Sequence, residues 1–122
     1  MKLEIEELHH VALHVKDVDL SIEFYKSVMG FQQILRPSFS FPGAWFRIGK
    51  MQELHLIGGR ELDVHSSNRG NHFAMRVANI QQADQYFQEK NIERMGPKRR
   101  PDGAWQIFIK DVDGHTVELF QD

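Results

Sequence analysis

Four side chains that bind metal ions well stand at His10, His55, His72 and Glu118. Neutral imidazole nitrogens and a carboxylate are suitable ligands for a divalent transition metal, with bonds of about 2.0–2.2 Å. Three His and one Glu would fill four coordination positions. An ion that prefers five or six ligands keeps one or two positions for water or substrate, as a catalytic metal requires. The four residues therefore predict a site for one divalent metal ion, although His55 could instead serve as a nearby base.

The case for a metal depends on the four positions together. An ionised Glu118 between Val117 and Leu119 on a strand is costly to bury unless a cation pairs with it, and its predicted neighbours are imidazoles. Taken alone, a His on a strand is more often a half-buried polar residue than a ligand. A lone Glu can also lie at a sheet edge with its carboxylate in water. What favours a metal is that the four positions are related by an internal repeat.

The repeat becomes visible when His10–Val18 is placed over His72–Ile80, at an offset of 72 − 10 = 62 residues. His, Ala and Val coincide, and the aromatic pair Phe24-Tyr25 falls on Tyr86-Phe87. A second shared motif ends in Trp45 in one half and in Trp105 in the other. His55 follows 55 − 45 = 10 residues after the first Trp, and Glu118 follows 118 − 105 = 13 after the second. His10 and His72 are therefore equivalent positions, and so are His55 and Glu118.

The periodicity predicts the same order of elements in both halves, namely a strand, a helix and three strands. Apolar and polar residues alternate over Leu8–Val15, which places His10 and His14 on one face of the first strand and His9 on the other. Asp17 and Asn79 are suitable helix N-caps, and Gly30 should end the first helix. The other predicted strands are Phe31–Leu35, Trp45–Ile48, Glu53–Ile57, Trp105–Ile109 and Thr116–Phe120.

In each half the helix should cover the apolar face of a small sheet and leave the opposite face to line a cleft. Leu54 and Leu56 would then pack under the first helix while His55 faces the cleft. The same alternation turns Glu118 away from the second helix. All four candidate ligands would point into one concave surface, either within one chain or across a dimer interface.

The chain of 122 residues is long enough for a single domain, in which we expect repeats at about 6–58 and 70–122 and a linker at 59–69. Its net charge of −2 argues against nucleic acid or an anionic membrane as a partner, since both require a basic excess. The basic run Lys98–Arg100 is typical of a solvated loop. There is no cysteine and hence no disulfide. Neither a signal peptide nor a membrane span is recognisable, so we expect a cytoplasmic protein.

Together these motifs resemble the glyoxalase, bleomycin-resistance and extradiol-dioxygenase superfamily, known as the vicinal-oxygen-chelate superfamily. The resemblance runs from about Leu8 to the C-terminus and is carried by His10–Leu13, Asp17, Phe24-Tyr25, Met29–Phe31, Gly70–Ala74 and Asp111–Leu119. It implies an α+β fold in which two tandem βαβββ modules form a cup-shaped mixed sheet, with the helices on the outer face. It also implies a homodimer, which the exposed apolar edges of a half-open cup would favour.

The resemblance implies that one metal ion (Zn, Ni, Co, Mn or Fe) is chelated by vicinal oxygens of a small-molecule substrate. By position, His10, His72 and Glu118 match three ligands shared by two branches of the superfamily. His55 stands where glyoxalase I enzymes commonly carry a glutamate that can abstract the proton. His14 stands where they often carry an arginine that binds glutathione.

The favoured function is a glyoxalase-like lyase or isomerase, in which Glu118 or His55 moves a proton beside the metal. An alternative is an Fe(II) extradiol-type dioxygenase, with His10, His72 and Glu118 as a two-His, one-carboxylate triad. A further alternative is a resistance protein, either a drug-sequestering protein or a thiol transferase. The transferase needs a cationic pocket, for which the candidates are Arg47, Arg76 and Arg99.

Overall fold

The structure is a computed structural model that describes residues 1–122 and divides into two units, Met1–Leu62 and Asp63–Asp122. Each unit contains a strand, a helix and three further strands, in that order. The predicted α+β class is confirmed, and each unit is a βαβββ module with its own four-stranded mixed sheet. None of the helices has the length and apolar character needed to cross a membrane.

The first unit consists of β1 (His10–His14), α1 (Val18–Glu23), β2 (Gln32–Ile34), β3 (Gly43–Ile48) and β4 (Gln52–Ile57). The strand order is β1-β4-β3-β2. β1 runs parallel to β4, and the other neighbouring pairs are antiparallel. The parallel pair therefore brings the N-terminal strand next to the last strand of the unit.

The first helix begins as predicted but does not continue as an α-helix to Gly30. The Asp17 carboxylate accepts a hydrogen bond from the Leu20 N–H at 3.1 Å, which confirms the N-cap. After α1 the chain forms a π-helical turn, Phe24–Val28. The turn includes Tyr25, whose side chain is fully buried and whose ring lies near Phe46. The chain therefore changes from an α-helix to a π-helix in the segment whose Tyr25 ring packs into the core.

The core of the first unit lies between its helix and its sheet, where α1 contacts β3 and β4. Leu54 and Leu56 are fully buried, as the alternation predicts. Burying a large apolar side chain contributes about 1.5–3 kcal/mol. A slip of β4 by one residue would exchange both leucines for His55 in the core. The hydrophobic pattern therefore fixes the face on which His55 lies.

The second unit consists of β5 (Phe73–Arg76), α2 (Ile80–Glu89), β6 (Met95–Arg99), β7 (Trp105–Lys110) and β8 (Thr116–Gln121). Its strand order is β5-β8-β7-β6, with β5 parallel to β8, which repeats the topology of the first unit. The Asn79 side chain accepts a hydrogen bond from the Gln82 N–H at 3.0 Å, so the second predicted N-cap is also confirmed.

The core of the second unit is formed by α2 against β7 and β8. Phe87 from the helix and Ile107, Val117 and Leu119 from the strands are buried. Because successive strand residues face opposite sides, Glu118 lies on the sheet face away from this core. Both units thus turn their predicted metal-binding strand residue away from the helix.

The prediction that Lys98–Arg100 is a loop is wrong, because Lys98 and Arg99 belong to the edge strand β6, but both side chains are exposed to solvent as expected. The three cations lie over aromatic rings of β7 and β8, and cation–π contacts of this kind contribute about 0.5–1 kcal/mol each at exposed sites. The cationic groups of Lys98, Arg99 and Arg100 lie 5.4, 5.0 and 4.9 Å from the ring centroids of Phe108, Trp105 and Phe120, respectively.

Candidate functional site

The first unit brings together His10 of β1 and His55 of β4. In the parallel register His55 lies opposite Ala12, two residues beyond His10. The two imidazole rings stack with centroids 4.1 Å apart and planes at 17°. His55 is only 8% exposed. The pair lies on the sheet face opposite Leu54 and Leu56, as the alternation predicts.

His55 also contacts two residues of its own sheet. Trp45 is its direct neighbour across the β3–β4 pair, and the two rings stack with centroids 4.0 Å apart and planes at 4°. His55 Nε2 donates a hydrogen bond to Glu53 Oε1 at 2.9 Å. This bond is the largest cause that lowers the pKa of Glu53, so Glu53 is a carboxylate near neutral pH. His55 is therefore enclosed on both ring faces and bonded at one edge.

The prediction that His9 lies on the face opposite His10 is wrong. The Nδ1 atoms of the two residues are 2.9 Å apart. The regular strand begins only at His10, so the strict alternation of a strand does not extend to His9. Partial burial, followed by the nearby charges of His55 and His9, lowers the pKa of His10. His10 therefore favours the neutral form, which is the form that binds metals.

The second unit brings together His72, just before β5, and Glu118 of β8. His72 Nε2 donates a hydrogen bond to Glu118 Oε1 at 3.0 Å, and Nδ1 donates to the Gly70 carbonyl at 3.1 Å. A metal ion held by Nε2 and Oε1 would take the place of the Nε2 proton.

The second oxygen of Glu118 is also bonded. Gln106 Nε2 on β7 donates to Oε2 at 3.2 Å. Phe108 lies directly opposite Glu118 in the β7–β8 register, and its ring meets that of His72 edge to face, with centroids 5.7 Å apart. Glu118 is 5% exposed. Hydrogen bonds at both oxygens offset the free-energy cost of burying its charge and fix its orientation.

The four predicted ligands thus occur as two pairs, one in each unit, at repeat-equivalent positions. No group of three or more His, Asp or Glu side chains that could hold a metal ion occurs in the structure, and the complete four-residue ligand set stays a prediction. The donor types fit a divalent metal, and in the second unit an imidazole nitrogen and a carboxylate oxygen are in direct contact. In the first unit the two imidazoles stack face to face, so His10 has to turn out of the stack for both rings to bind one ion. His14, on the same strand as His10, instead donates to the Gly58 carbonyl at 3.2 Å.

Two functional neighbours were missed from the sequence, Glu53 and Gln106. Glu53 had a signal, because it stands two residues before His55 on the same strand and so on the same face. No sequence signal indicated Gln106, because it contacts Glu118 diagonally across the two strands rather than as its direct partner. The direct partners in the register are Phe108 with Glu118 and Gln106 with Phe120. A diagonal contact can be predicted only after the strand register is known.

Comparisons with known proteins agree with these observations. The family model described as the Glyoxalase/Bleomycin resistance protein/Dioxygenase superfamily matches residues 7–119. Glyoxylase I 4 of Arabidopsis thaliana is 28% identical, over 96% of this chain and 71% of that protein. Metallothiol transferase FosB of Bacillus licheniformis is 26% identical, over 92% of this chain and 73% of that protein.

The fold is also similar to that of solved structures. One is the lactoylglutathione lyase from Agrobacterium tumefaciens, with a TM-score of 0.78 and 22% sequence identity. The superposition covers 96% of this chain and 94% of that one. At this identity the likeness concerns the fold alone.

Proposed function

This chain belongs to the glyoxalase/bleomycin resistance protein/dioxygenase superfamily, and from that premise we propose that it is a metal-dependent enzyme acting on a small substrate with adjacent oxygen atoms. Lyase or isomerase chemistry of the glyoxalase type is favoured, and the similarity to Glyoxylase I 4 supports it. The observation that carries the proposal is the contact of His72 with Glu118. The buried Glu118 carboxylate accepts one hydrogen bond from His72 and one from Gln106. A carboxylate beside an imidazole is a suitable pair of metal ligands.

In this proposal His10, His55, His72 and Glu118 hold one divalent ion, which is Zn, Ni, Co, Mn or Fe. The four residues come from one chain or from two copies of it. When bound, the ion supplies Lewis-acid stabilisation of negative charge on a substrate oxygen.

The protein's own groups would bind the substrate and move the proton. Glu118 or His55 accepts a proton from the substrate carbon and returns it to the neighbouring position. Gln106 orients the Glu118 carboxylate through Oε2. Trp45 covers one face of the buried His55 ring and limits its contact with water, and Phe108 packs against the His72 ring edge to face.

The first test is the metal content of untagged protein, measured by elemental analysis on the wild type, Glu118→Ala and His55→Ala. We expect about one metal ion per chain in the wild type and loss of the ion in Glu118→Ala. Loss in His55→Ala as well would make His55 a ligand, whereas retention with loss of turnover would make it the base. Absence of metal under all loading conditions would refute the proposal.

The reaction is tested separately, with protein loaded with Ni, Co or Zn and offered hemithioacetals. Turnover that disappears in Glu118→Ala is the expected result. Loaded protein that converts no hemithioacetal would exclude the glyoxalase version while leaving the metal site intact.

A second candidate, thiol transfer to a substrate with an anionic group, is favoured by the similarity to FosB and by Lys98. Lys98 lies opposite Gln106 in the register, on the same sheet face as Glu118, and forms no ion pair. Of the three arginines considered from the sequence, Arg76 pairs with Asp122, Arg47 lies 3.9 Å from Glu53 and Arg99 lies over the ring of Trp105. Thiol-dependent consumption of an anionic epoxide, reduced in Lys98→Gln, would support this candidate.

We also propose that the chain forms a homodimer. Met1, Leu3, Ile5 and Leu8 are exposed, and Met1, Leu3 and Ile5 alternate with polar residues, a pattern typical of a strand with one buried face. Light scattering should give the mass of two chains. A monomer over the whole accessible concentration range would contradict this proposal.

A further inference from the structure

The proposed function leaves the role of Glu53 unassigned. We propose that Glu53 is a positioning residue that holds His55 as the tautomer protonated at Nε2, so that Nδ1 is the atom of His55 that binds the metal or accepts a proton. The use of Nδ1 depends on the proposed function. The tautomer does not, and it can be measured without metal or substrate.

The first support is the chemistry of the contact. An ionised carboxylate only accepts hydrogen bonds, so the 2.9 Å contact between His55 Nε2 and Glu53 Oε1 requires the proton to be on Nε2. Arg47 lies directly opposite Glu53 across the β3–β4 pair, with its Nη2 atom 3.9 Å from Oε2. The guanidinium favours the ionised form of Glu53, and with it the orientation of the hydrogen bond.

The second support is the enclosure of the ring. His10 lies on one face of His55 and Trp45 on the other, with centroids 4.1 and 4.0 Å away. The two stacks fix the plane of the His55 ring. A 180° flip within that plane would turn Cε1 towards Glu53 and lose the 2.9 Å hydrogen bond, so the ring keeps its Nε2 edge towards Glu53. The bond to Glu53 is made at Nε2, which leaves Nδ1 of His55 without a hydrogen bond, and the His55 side chain is 11% exposed.

The third support is the contrast with the second unit. There His72 is held at Nδ1 by the Gly70 carbonyl and presents Nε2 to Glu118. His55 has the reverse arrangement, because its Nε2 is held and its Nδ1 is available. A carboxylate behind a histidine in this way fixes the tautomer and orients the ring. Glu53 thus prepares His55 equally well as a ligand and as a base.

The test is long-range ¹H–¹⁵N NMR of metal-free protein in alkaline buffer, where imidazoles are neutral. The expected spectrum shows His55 protonated at Nε2 and unprotonated at Nδ1. Glu53→Gln keeps an acceptor oxygen and should retain this tautomer, whereas Glu53→Ala should show averaging between the two tautomers. Glu23→Gln, an exposed position in α1, is the matched control and should resemble the wild type. A wild-type His55 protonated at Nδ1, or a Glu53→Ala spectrum identical to the wild type, would overturn the assignment.

A second readout is zinc affinity, measured by competition with a chelator. Loss of an oriented carboxylate behind a metal-binding histidine costs about 10–100-fold in affinity, so Glu53→Ala should bind zinc that much more weakly. Glu53→Gln should recover most of the loss, and an equal loss in both variants would contradict the role of the acceptor oxygen. If the wild type binds no metal at all, the proposed function fails while the NMR result for the tautomer stands.

Discussion

His72 donates a hydrogen bond to Glu118 at 3.0 Å, across 46 positions of the sequence, and this pair is the repeat equivalent of His10 and His55. The two pairs nevertheless differ in their contact. His10 and His55 stack face to face, whereas His72 meets a carboxylate with its ring edge. The repeat determines where each pair lies on its sheet, and the side-chain types determine how its members interact. The carboxylate makes the second pair the stronger partner for a cation.

Replacing Gln106 with Ala should weaken metal binding without abolishing it. Gln106 holds the second oxygen of Glu118 at 3.2 Å, and removing such a group behind a metal ligand costs about 10–100-fold in affinity. The measurement is a zinc titration against a competing chelator. Gln85→Ala, on the exposed surface of α2, is the control and should bind zinc like the wild type. An unchanged affinity in Gln106→Ala would show that Glu118 needs no support.

The sheet faces on which His55 and Glu118 lie could be predicted, because successive residues of a strand point to opposite faces. In Leu54-His55-Leu56 and in Val117-Glu118-Leu119 the apolar neighbours are buried against a helix. The polar residue between them then has to face the other side. Both helix caps were also predicted correctly, for a different reason. The side chains of Asp17 and Asn79 can accept hydrogen bonds from the free backbone N–H groups at a helix start.

The features that could not be predicted depend on contacts between strands or on irregular backbone. Lys98–Arg100 has no apolar alternation, and the strand that includes Lys98 and Arg99 is evident only from its backbone pairing with β7. The contact of Gln106 with Glu118 required the strand register. His9 lies outside the regular part of β1, where alternation no longer applies.

Metal binding should change the fluorescence of Trp45, because its ring stacks on His55 at 4.0 Å. The chain has two tryptophans, so Trp105→Phe leaves Trp45 as the only tryptophan, which is excited selectively above the tyrosine absorption band. We expect its emission to be quenched on titration with Ni or Co. Trp45→Phe, which retains Trp105, is the control and should respond less. If the emission of Trp45 does not change while elemental analysis shows that the metal is bound, His55 is not a ligand.

Gly96→Ala should destabilise the fold more than Gly103→Ala. Both glycines have positive φ, at +99° and +91°, so each substitution introduces about 1–3 kcal/mol of backbone strain. A Cβ at Gly96 would also lie 2.6 Å from the Gln106 carbonyl oxygen, whereas a Cβ at Gly103 would meet nothing within 4 Å. Overpacking adds about 1–3 kcal/mol for Gly96→Ala alone. Urea denaturation measures the difference, and equal losses would contradict the close approach of β6 to β7.

Asp102 should titrate well below an ordinary aspartate. The Arg100 guanidinium donates to both carboxylate oxygens, at 3.1 and 2.5 Å, and together with the Ala104 N–H it lowers the pKa of Asp102 from 3.8 to about 2. Because the native pKa is the lower one, the ionised carboxylate stabilises the fold above about pH 4, and this contribution is lost as the pH falls towards 2. Carboxyl NMR should give a midpoint near 2 in the wild type. In Arg100→Gln the midpoint should rise towards 3.8, and a midpoint that does not move would show that the guanidinium is not its cause.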